Sequence, residues 1–418
     1  MPPAPAPSSP SAPEPGLRAL DWLNFFIANL QTGFGPFIAV YLTGDKWTQG
    51  EIGVALSVNA AVTMLAQVPA GGFVDWLPQK RLAAAIGLCA VAISAVLLAL
   101  FPAKLPVLLA QALHGFSTCI LVPAVAAITL NRVGRQAFAE RLGRNARFAA
   151  IGSAVGAAMM GAAGTYLSSD AVFWLAAVLT LPALLAVQAM PPRNPSEDQA
   201  LAAATEPPER QRGTLLVLLD RRLLAFALCI VLFQFANAAM LPLAGTEVTR
   251  MAGSGANLII AACLVVPQAV VALFSPGVGR AAERIGRRRV LLLGFLALPA
   301  RGLLFATVAS PPLIVAAQVL DGVGGAVVGV LVPLVAADVT RGTGRFNLCM
   351  GVIGLAVGVG ATLSTTVAGE LATQYGSSVA FLALAVAGML AVVTVLVGMP
   401  ETRPTPPPSV TARPSPDA

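Results

Sequence analysis

The chain has 418 residues, of which 57% are hydrophobic and only 11% are charged, and its net charge is +7. Its mean hydropathy is +0.80. Because a soluble domain carries roughly 25% charged residues, this composition excludes water as the main solvent of the protein. It predicts helices that cross a lipid bilayer, each of which needs about 20 apolar residues.

Twelve apolar segments of sufficient length follow one another along the chain. In the first half they cover residues 20–42, 51–74, 82–101, 105–130, 147–168 and 170–190. In the second half they cover residues 223–244, 256–277, 290–310, 312–336, 348–371 and 376–399. The sequence therefore predicts an all-α membrane protein with twelve transmembrane helices in two six-helix bundles, although counts of eleven or thirteen also fit the pattern.

Polar segments separate and flank the two bundles. Residues 191–222 are rich in proline and charge, which is typical of a linker between domains, here at 20–190 and 223–399. The proline-rich ends, residues 1–19 and 400–418, are predicted to be disordered tails.

Basic residues concentrate in alternate loops, and this pattern predicts the topology. They lie at 80–81, 132–147, 191–222, 280–289 and 341–345, whereas the intervening loops hold only Lys46, Lys104 and Arg250. Loops rich in Lys and Arg stay on the cytoplasmic side of a membrane. Both termini and the linker are therefore predicted to be cytoplasmic, in the inner membrane, and the positive charge requires no nucleic-acid partner.

The two halves contain matching short motifs, as expected for two copies of one bundle. Residues 111–115 (Gln-Ala-Leu-His-Gly) match residues 318–322 (Gln-Val-Leu-Asp-Gly). Phe25 and Asn29 match Phe233 and Asn237. We also align Gly143, Arg144, Asn145, Gly152 and Gly156 with Gly344, Arg345, Asn347, Gly354 and Gly358. Parallel repeats around a midplane site are typical of transporters.

Two copies of one loop motif identify a family that the chain resembles. Residues 71–81 (Gly-Gly-Phe-Val-Asp-Trp-Leu-Pro-Gln-Lys-Arg) and residues 279–289 (Gly-Arg-Ala-Ala-Glu-Arg-Ile-Gly-Arg-Arg-Arg) follow the second and the eighth predicted span. Both resemble G-x-x-x-D-[RK]-x-G-[RK]-[RK], a loop motif of the major facilitator superfamily. The resemblance covers nearly the whole chain and implies a secondary transporter that works by alternating access.

In this family the motif acts as a conformational latch that closes the cytoplasmic side. Glycine permits close helix approach, and a carboxylate is stabilised at the positive N-terminus of a neighbouring helix. The resemblance implies that Asp75 docks near the start of span 11 and Glu283 near the start of span 5. Trp76 and Pro78 depart from the motif, and a basic loop that only fixes topology is the alternative. The residues assigned to the latches are Gly71, Asp75, Lys80, Arg81, Gly279, Glu283, Arg284, Gly286, Arg287 and Arg288.

Ionisable side chains inside the predicted spans are candidates for a functional site, because a charge at the bilayer centre costs roughly 2.5–3.5 kcal/mol. Asp321 lies in span 10 with Gln318 one turn away, and His114 holds the matching position of span 4 beside Gln111. Arg301 in span 9 lies at the depth of Asp321, which predicts an ion pair with either a structural or a transport role.

In the family, spans 1, 4, 7 and 10 line the central cavity. The resemblance therefore implies a substrate and proton site formed by Asn29, Gln111, His114, Gln234, Asn237, Gln318, Asp321 and Arg301. Imidazole and carboxylate groups exchange protons, so we expect proton coupling. For each amide, a hydrogen bond to a neighbouring helix is the alternative.

The expected function is secondary active transport of a small organic solute by a monomer in a lipid bilayer. A facilitated-diffusion uniporter, a membrane-embedded enzyme and a non-transporting receptor are the alternatives. An enzyme is disfavoured because the sequence offers no nucleophile with a base and no phosphate-binding loop. The Arg of span 4 and the Gly-Pro of span 5 that mark drug/proton antiporters of the family are missing here.

No cofactor or metal is predicted. The five cysteines fall inside predicted spans without metal-ligand spacing, so we expect buried packing residues rather than disulfides or a zinc site. They are Cys89, Cys119, Cys229, Cys263 and Cys349.

Overall fold

The structure is a computed structural model that describes residues 15–32, 34, 36–191, 218–252, 256–307 and 310–403. These residues form helices joined by short loops, and no strand occurs among them. Most of the predicted linker and the outer parts of both predicted tails lie outside the described residues.

The helices of the first half are α1 (Pro15–Thr32), α2 (Pro36–Gly44), α3 (Gln49–Trp76), α4 (Lys80–Leu100), α5 (Lys104–Val133), α6 (Phe138–Tyr166) and α7 (Ala171–Gln188). The helices of the second half are α8 (Arg221–Asn237), α9 (Met240–Ala252), α10 (Ala256–Ile285), α11 (Arg287–Thr307), α12 (Pro311–Val339), α13 (Phe346–Tyr375) and α14 (Ser377–Gly398).

Eleven helical stretches of the described chain are long and apolar enough to cross a membrane. The remaining crossing, which is the first in chain order, consists of α1 and α2. The sequence predicted these two helices as one span over residues 20–42. It divides because Pro36 starts a new helix, a position that proline favours. The seventh crossing likewise consists of α8 and α9, which meet between Asn237 and Met240. The prediction of twelve membrane-crossing helices is therefore confirmed.

Several predicted boundaries are wrong. Helix α1 begins at Pro15, inside the predicted tail, and α6 begins at Phe138 rather than near residue 147. At the other end, Thr402 is buried, so residues 400–403 belong to the folded part. Hydropathy alone misplaced these ends, because their polar residues are bonded to other parts of the protein. Among the cysteines, all of which are free, Cys89 is exposed rather than buried.

The two halves repeat the same helix packing. In the first half, α1 packs against α6, and α5 packs against α3 and α4. In the second half, α8 packs against α13, and α12 packs against α10 and α11. We call the side where α3, α5, α10 and α12 end the basic end, because most Arg and Lys residues lie there, and the other side the opposite end.

The halves meet along two equivalent helix pairs, α3 with α13 and α6 with α10. A side chain on Gly71 would overlap the backbone oxygen of Asn347, and one on Gly279 would overlap that of Ala139. The two contacts recur at one constant spacing along the chain, 71 to 279 and 139 to 347. Glycine is therefore required at both latch motifs for the backbones of the two halves to touch.

The same contacts correct the sequence alignment of α6 with α13. Gly143 packs on Ser275 of α10, and Gly351 packs on Gln67 of α3, so Gly143 corresponds to Gly351 and not to Gly344. The pairing of Gly152 and Gly156 with Gly354 and Gly358 is wrong for the same reason. A shared Gly-Arg dipeptide misled the alignment by about two helical turns.

Gly152 instead corresponds to Gly360. Gly152 faces the backbone of Phe25 in α1, and Gly360 faces the backbone of Val231 in α8. Both glycines therefore allow the first and the fifth membrane crossing of each half to pack closely. These are α1 with α6 and α8 with α13.

A pair of substitutions in α13 tests this packing. We expect Gly360→Ala to lower the thermal unfolding temperature in detergent, because overpacking of this kind costs about 1–3 kcal/mol. Gly369→Ala is the matched control, since no atom lies within 4 Å of the added carbon. It should be neutral or stabilising by roughly 0.5–1 kcal/mol, because alanine favours helix more than glycine does. Equal unfolding temperatures for the two variants would contradict the close contact.

Candidate functional site: a cavity between the two halves

A cavity of about 460 Å³ lies between the two halves. Helices α1, α5 and α6 of the first half and α10, α12 and α13 of the second half contribute to its wall. Most of the wall is aliphatic, and its polar side chains are Asn24, Gln31, Asn145, Ser153 and Gln268. None of the described residues that line it is charged. The cavity has the size of a small-molecule site and an uncharged, weakly polar wall.

At the basic end, below this cavity, backbone contacts join the two halves to each other. Besides the two glycine contacts, two arginines of the first half bond to carbonyl groups of the second. Arg147 donates through Nε to the carbonyl of Ala272 at 3.0 Å, and Arg135 donates to the carbonyl of Ala337. The basic end is therefore held together by side chains and backbone of both halves.

The eight side chains predicted to form the substrate and proton site do not line this cavity. They are Asn29, Gln111, His114, Gln234, Asn237, Gln318, Asp321 and Arg301. In α1, Ala28 and Gln31 face the cavity, whereas Asn29 is rotated by about 100° and packs on Gly156 of α6. Of the spans that the resemblance implied, α1, α5 and α12 line the cavity and α8 does not, whereas α6, α10 and α13 line it although they were not predicted. The resemblance also could not tell which face of each helix is turned inward.

The predicted ion pair is present in the second half, with two amides around it. Arg301 Nη1 donates to Asp321 Oδ1 at 2.6 Å and to Asn237 Oδ1 at 2.7 Å. Arg301 Nη2 donates to Gln318 Oε1 at 2.8 Å. The exposed fraction is 1% for the Arg301 side chain and 24% for that of Asp321. This network joins α8, α11 and α12, and it brings together four of the eight predicted residues.

The matching residues of the first half form no such network. The His114 ring stacks on Phe34 with centroids 3.9 Å apart, and His114 Nδ1 has no hydrogen-bond partner within the described chain. The side-chain amides of Asn29 and the Nε2 of Gln111 also have none. The position equivalent to Arg301 holds Ser94, which donates to the carbonyl of Ala110 at 2.8 Å. Without a cation, the polar groups of this half are not drawn together.

Gln234 is separate from the Arg301 network. Its Cβ lies next to Gly360 of α13, so the side chain belongs to the contact between α8 and α13. The prediction that Gln234 faces a central site therefore has no support from the geometry.

A second charged cluster, which the sequence reasoning missed, lies at the basic end of the first half. Asp21 accepts from Arg141 Nη2 at 2.6 Å and from Arg144 Nη2 at 2.6 Å, and only 5% of the Asp21 side chain is exposed. Arg141 Nε donates to the cavity residue Asn145 at 2.9 Å, and Asn145 donates to Thr129 at 2.8 Å. The available signal was an acidic residue within the first predicted span.

At the first motif, the Asp75 carboxylate lies at the start of α13, where the resemblance placed it. Asp75 accepts three hydrogen bonds at the start of α13, from the Asn347 backbone at 3.0 Å, the Asn347 side chain at 2.7 Å and the Leu348 backbone at 2.8 Å. The carboxylate of α3 thus caps a helix of the other half, where the helix dipole favours a negative charge. Lys80 does not pair with this carboxylate but donates to the carbonyls of Val74, Asp75 and Leu77, which end α3.

The second latch differs from the prediction. Glu283 pairs with Arg287 one turn later at 2.9 Å, and within the described residues no hydrogen bond or ion pair joins it to the start of α6. At α6 the positions of Asn347 and Leu348 are taken by Ala139 and Glu140. Ala139 has no side-chain donor, and Glu140 carries a carboxylate of the same charge as that of Glu283. The glycine contact is repeated in both halves, but the carboxylate cap exists in only one.

Arg287 has a structural role in the second half. Its guanidinium is buried and also bonds to Asp338 at 3.0 Å and to the carbonyl of Ala282 at 2.9 Å. Gly286 adopts a φ of 97°, which favours glycine, between α10 and α11. Of the remaining predicted latch residues, Arg81, Arg284 and Arg288 make no ion pair within the described chain.

The described ranges contain no group of three His, Cys, Asp or Glu residues that could hold a metal ion.

The difference between the two latches is testable. Asp75→Asn removes charge-assisted hydrogen bonds, each worth about 1.5–3 kcal/mol, so the population separated at the basic end should rise by roughly tenfold or more. The matched variant Glu283→Gln should change it little, because Glu283 bonds only within its own half. Distances between spin labels at exposed residues 79 and 341 in a cysteine-free chain measure both. Equal effects of the two substitutions would show that the repeats act alike.

The Arg301 network gives a second expectation. Asp321→Asn leaves a buried guanidinium without a counter-charge, which costs about 3–5 kcal/mol, so the variant should lose folded yield and thermal stability. Arg301→Gln should cost less, because Asp321 is partly exposed. The double variant should be more stable than Asp321→Asn alone. If instead all three variants unfold at the same temperature as the unchanged chain, the pair does not stabilise the fold.

Comparisons with known proteins agree with this architecture. The model of the Major Facilitator Superfamily matches residues 20–266 and again residues 249–417. An uncharacterized MFS-type transporter, found in two strains of Mycobacterium tuberculosis, is 37% identical over 390 residues, which is 92% of this chain and 93% of the relative.

Two solved structures share the fold at low sequence identity. The human organic anion transporter TETRAN has a TM-score of 0.69 at 16% identity and is covered over 100% of its chain by 92% of this one. The proton:xylose symporter XylE, solved with 6-bromo-6-deoxy-D-glucose, has a TM-score of 0.71 at 14% identity, over 93% of this chain and 96% of that one. This multi-pass membrane protein therefore belongs to the Major Facilitator Superfamily.

Proposed function

We propose that the protein is a secondary transporter that moves a small organic solute across the cytoplasmic membrane by alternating access. The observation that carries this proposal is the cavity between two repeated halves, with a wall built from both. Because the halves touch through backbone contacts at the basic end, a rocking motion that breaks these contacts would open the cavity on that side. Membership of the Major Facilitator Superfamily supports transport in general. The class of solute, the direction of transport and the coupling of transport to protons are our proposals.

The distribution of basic residues supports the sidedness. If the basic end is cytoplasmic, both chain ends and the linker are cytoplasmic as well. The state with contacts at Gly71 and Gly279 is then the one closed toward the cytoplasm. Its cavity would receive or release solute on the outer side.

The wall of the cavity favours a neutral, largely apolar solute with a few polar groups. Gln31 of the first half and Gln268 of the second half both line the cavity, and an amide both donates and accepts hydrogen bonds. Since no charged side chain lines the cavity within the described chain, a charged solute would lack a counter-charge there. The organic anions named for TETRAN are for this reason poor candidates for this chain.

We also propose that transport is coupled to protons. Asp321 and His114 are titratable groups inside the helices, but neither reaches the cavity wall. Asp21 is better placed, because its partner Arg141 bonds directly to the cavity residue Asn145.

Reconstituted liposomes test the proposed activity. A thermal-shift screen of neutral and charged compounds identifies a ligand, and labelled ligand is then followed into liposomes that contain the full chain. Counterflow of ligand supports a carrier, whereas product formation indicates an enzyme, and saturable binding without flux indicates a receptor. Flux that ignores an imposed pH gradient would replace proton coupling with facilitated diffusion.

Substitutions in the cavity wall sharpen this test. Gln268→Leu should weaken ligand binding by about tenfold, as expected for the loss of one or two hydrogen bonds of roughly 1 kcal/mol each. Gln374→Leu is the control, because Gln374 is exposed in α13 away from the cavity. Unchanged binding by Gln268→Leu would exclude this cavity as the solute site.

A further inference from the structure

A second cavity lies at the basic end and is lined by residues of the second half alone. It has a volume of about 540 Å³ and sits where α10 ends, α11 begins and the chain leaves α14. Four arginines line it, namely Arg284, Arg288, Arg289 and Arg403. None of its residues lines the cavity between the halves, although Arg284, Gly286 and Arg288 belong to the second latch motif.

The cavity holds more positive than negative charge. Its one acidic residue, Glu401, is occupied by backbone groups: it accepts from the Arg287 and Arg288 N–H groups at 2.9 and 3.3 Å and from the Arg403 N–H at 3.0 Å. Arg284 and Arg289 make no ion pair within the described chain. Three positive charges therefore remain uncompensated in one concave site.

Short contacts preform this site. The guanidinium of Arg403 donates to the Arg284 carbonyl at 3.0 Å, and that of Arg288 donates to the carbonyl of Leu396. The Nε of Arg288 has no acceptor within the described chain. The segment after α14 is therefore fixed against the loop between α10 and α11, with donors left over for an anionic group.

The rest of the cavity wall is apolar and continues onto the membrane surface of the protein. Leu292 and Leu396 line the cavity beside the arginines. Next to them, Leu293 is 60% exposed and Val397 is 85% exposed on helices that cross the bilayer. The site thus joins a cluster of cations to a surface that faces acyl chains.

We propose that this cavity binds the headgroup of an anionic phospholipid. Guanidinium groups form bidentate, charge-assisted hydrogen bonds with phosphate groups, and basic pockets between transmembrane helices bind anionic headgroups. The apolar side of the cavity favours a lipid over a soluble phosphate, because the acyl chains would cover Leu293 and Val397. The bound lipid would bridge α11 and α14 and contact arginines of the second latch motif.

Native mass spectrometry of the delipidated full chain tests this site. Dioleoyl phosphatidylglycerol is added in steps, and dioleoyl phosphatidylcholine with the same acyl chains is added in parallel. We expect tighter binding of phosphatidylglycerol and, in the Arg284→Gln/Arg289→Gln double variant, a loss of roughly 20-fold in its affinity. These two side chains are exposed and make no ion pair, so the unfolding temperature without lipid should not change. Arg289→Gln alone replaces the double variant if the latter is unstable.

Arg341→Gln is the matched control, because Arg341 is exposed at the same end but does not line the cavity. It should bind phosphatidylglycerol like the unchanged chain. Equal binding of the two lipids, or an equal loss in Arg341→Gln, would overturn the proposal in favour of a diffuse surface charge. Displacement of the lipid by an excess of inorganic phosphate would overturn it in favour of a soluble anion site.

Discussion

The close backbone contact between the two halves is the constraint on which the other features depend. Gly71 and Gly279 lie against carbonyl groups of the opposite half, where any larger side chain would overlap. The contacts fix α3 on α13 and α6 on α10, and so set the cavity between the halves. Apolar side chains of both halves also pack across this interface, among them Phe138 of α6 and Phe346 of α13, whose ring centroids are 6.4 Å apart.

The two copies of this contact are not equal, because the sequences around them have diverged. In one copy the Asp75 carboxylate caps α13 across the interface. In the other, Glu140 occupies the start of α6, and Glu283 turns back to Arg287, which also holds Asp338. Both repeats therefore have the close backbone contact at glycine, but the carboxylates beside the two glycines have different bonding partners. One side of the interface carries a charge-dependent bond between halves, and the other carries a rigid network within one half.

The sequence predicted the architecture well because hydropathy, charge asymmetry and repetition are each averaged over many residues. It also predicted the pairing of Arg301 with Asp321, since two opposite charges at one depth in a bilayer have few other partners. The cavity wall was not predictable in this way. Asn29 and Ala28 are neighbours in the chain, yet only Ala28 lines the cavity, because one residue turns the helix by about 100°. Rotation of a helix that is apolar on all sides leaves no periodic signal.

The position of the buried charges follows from the same physics. A charge on the cavity wall would meet water in one state and the other half in the next, with a different solvation energy in each. The described structure instead pairs Arg301 with Asp321 and Arg141 with Asp21, each pair inside one half. Asn145 is the exception that links the two regions, because it lines the cavity and also accepts from Arg141. Asn145 therefore connects the cavity wall on α6 directly to the charged cluster.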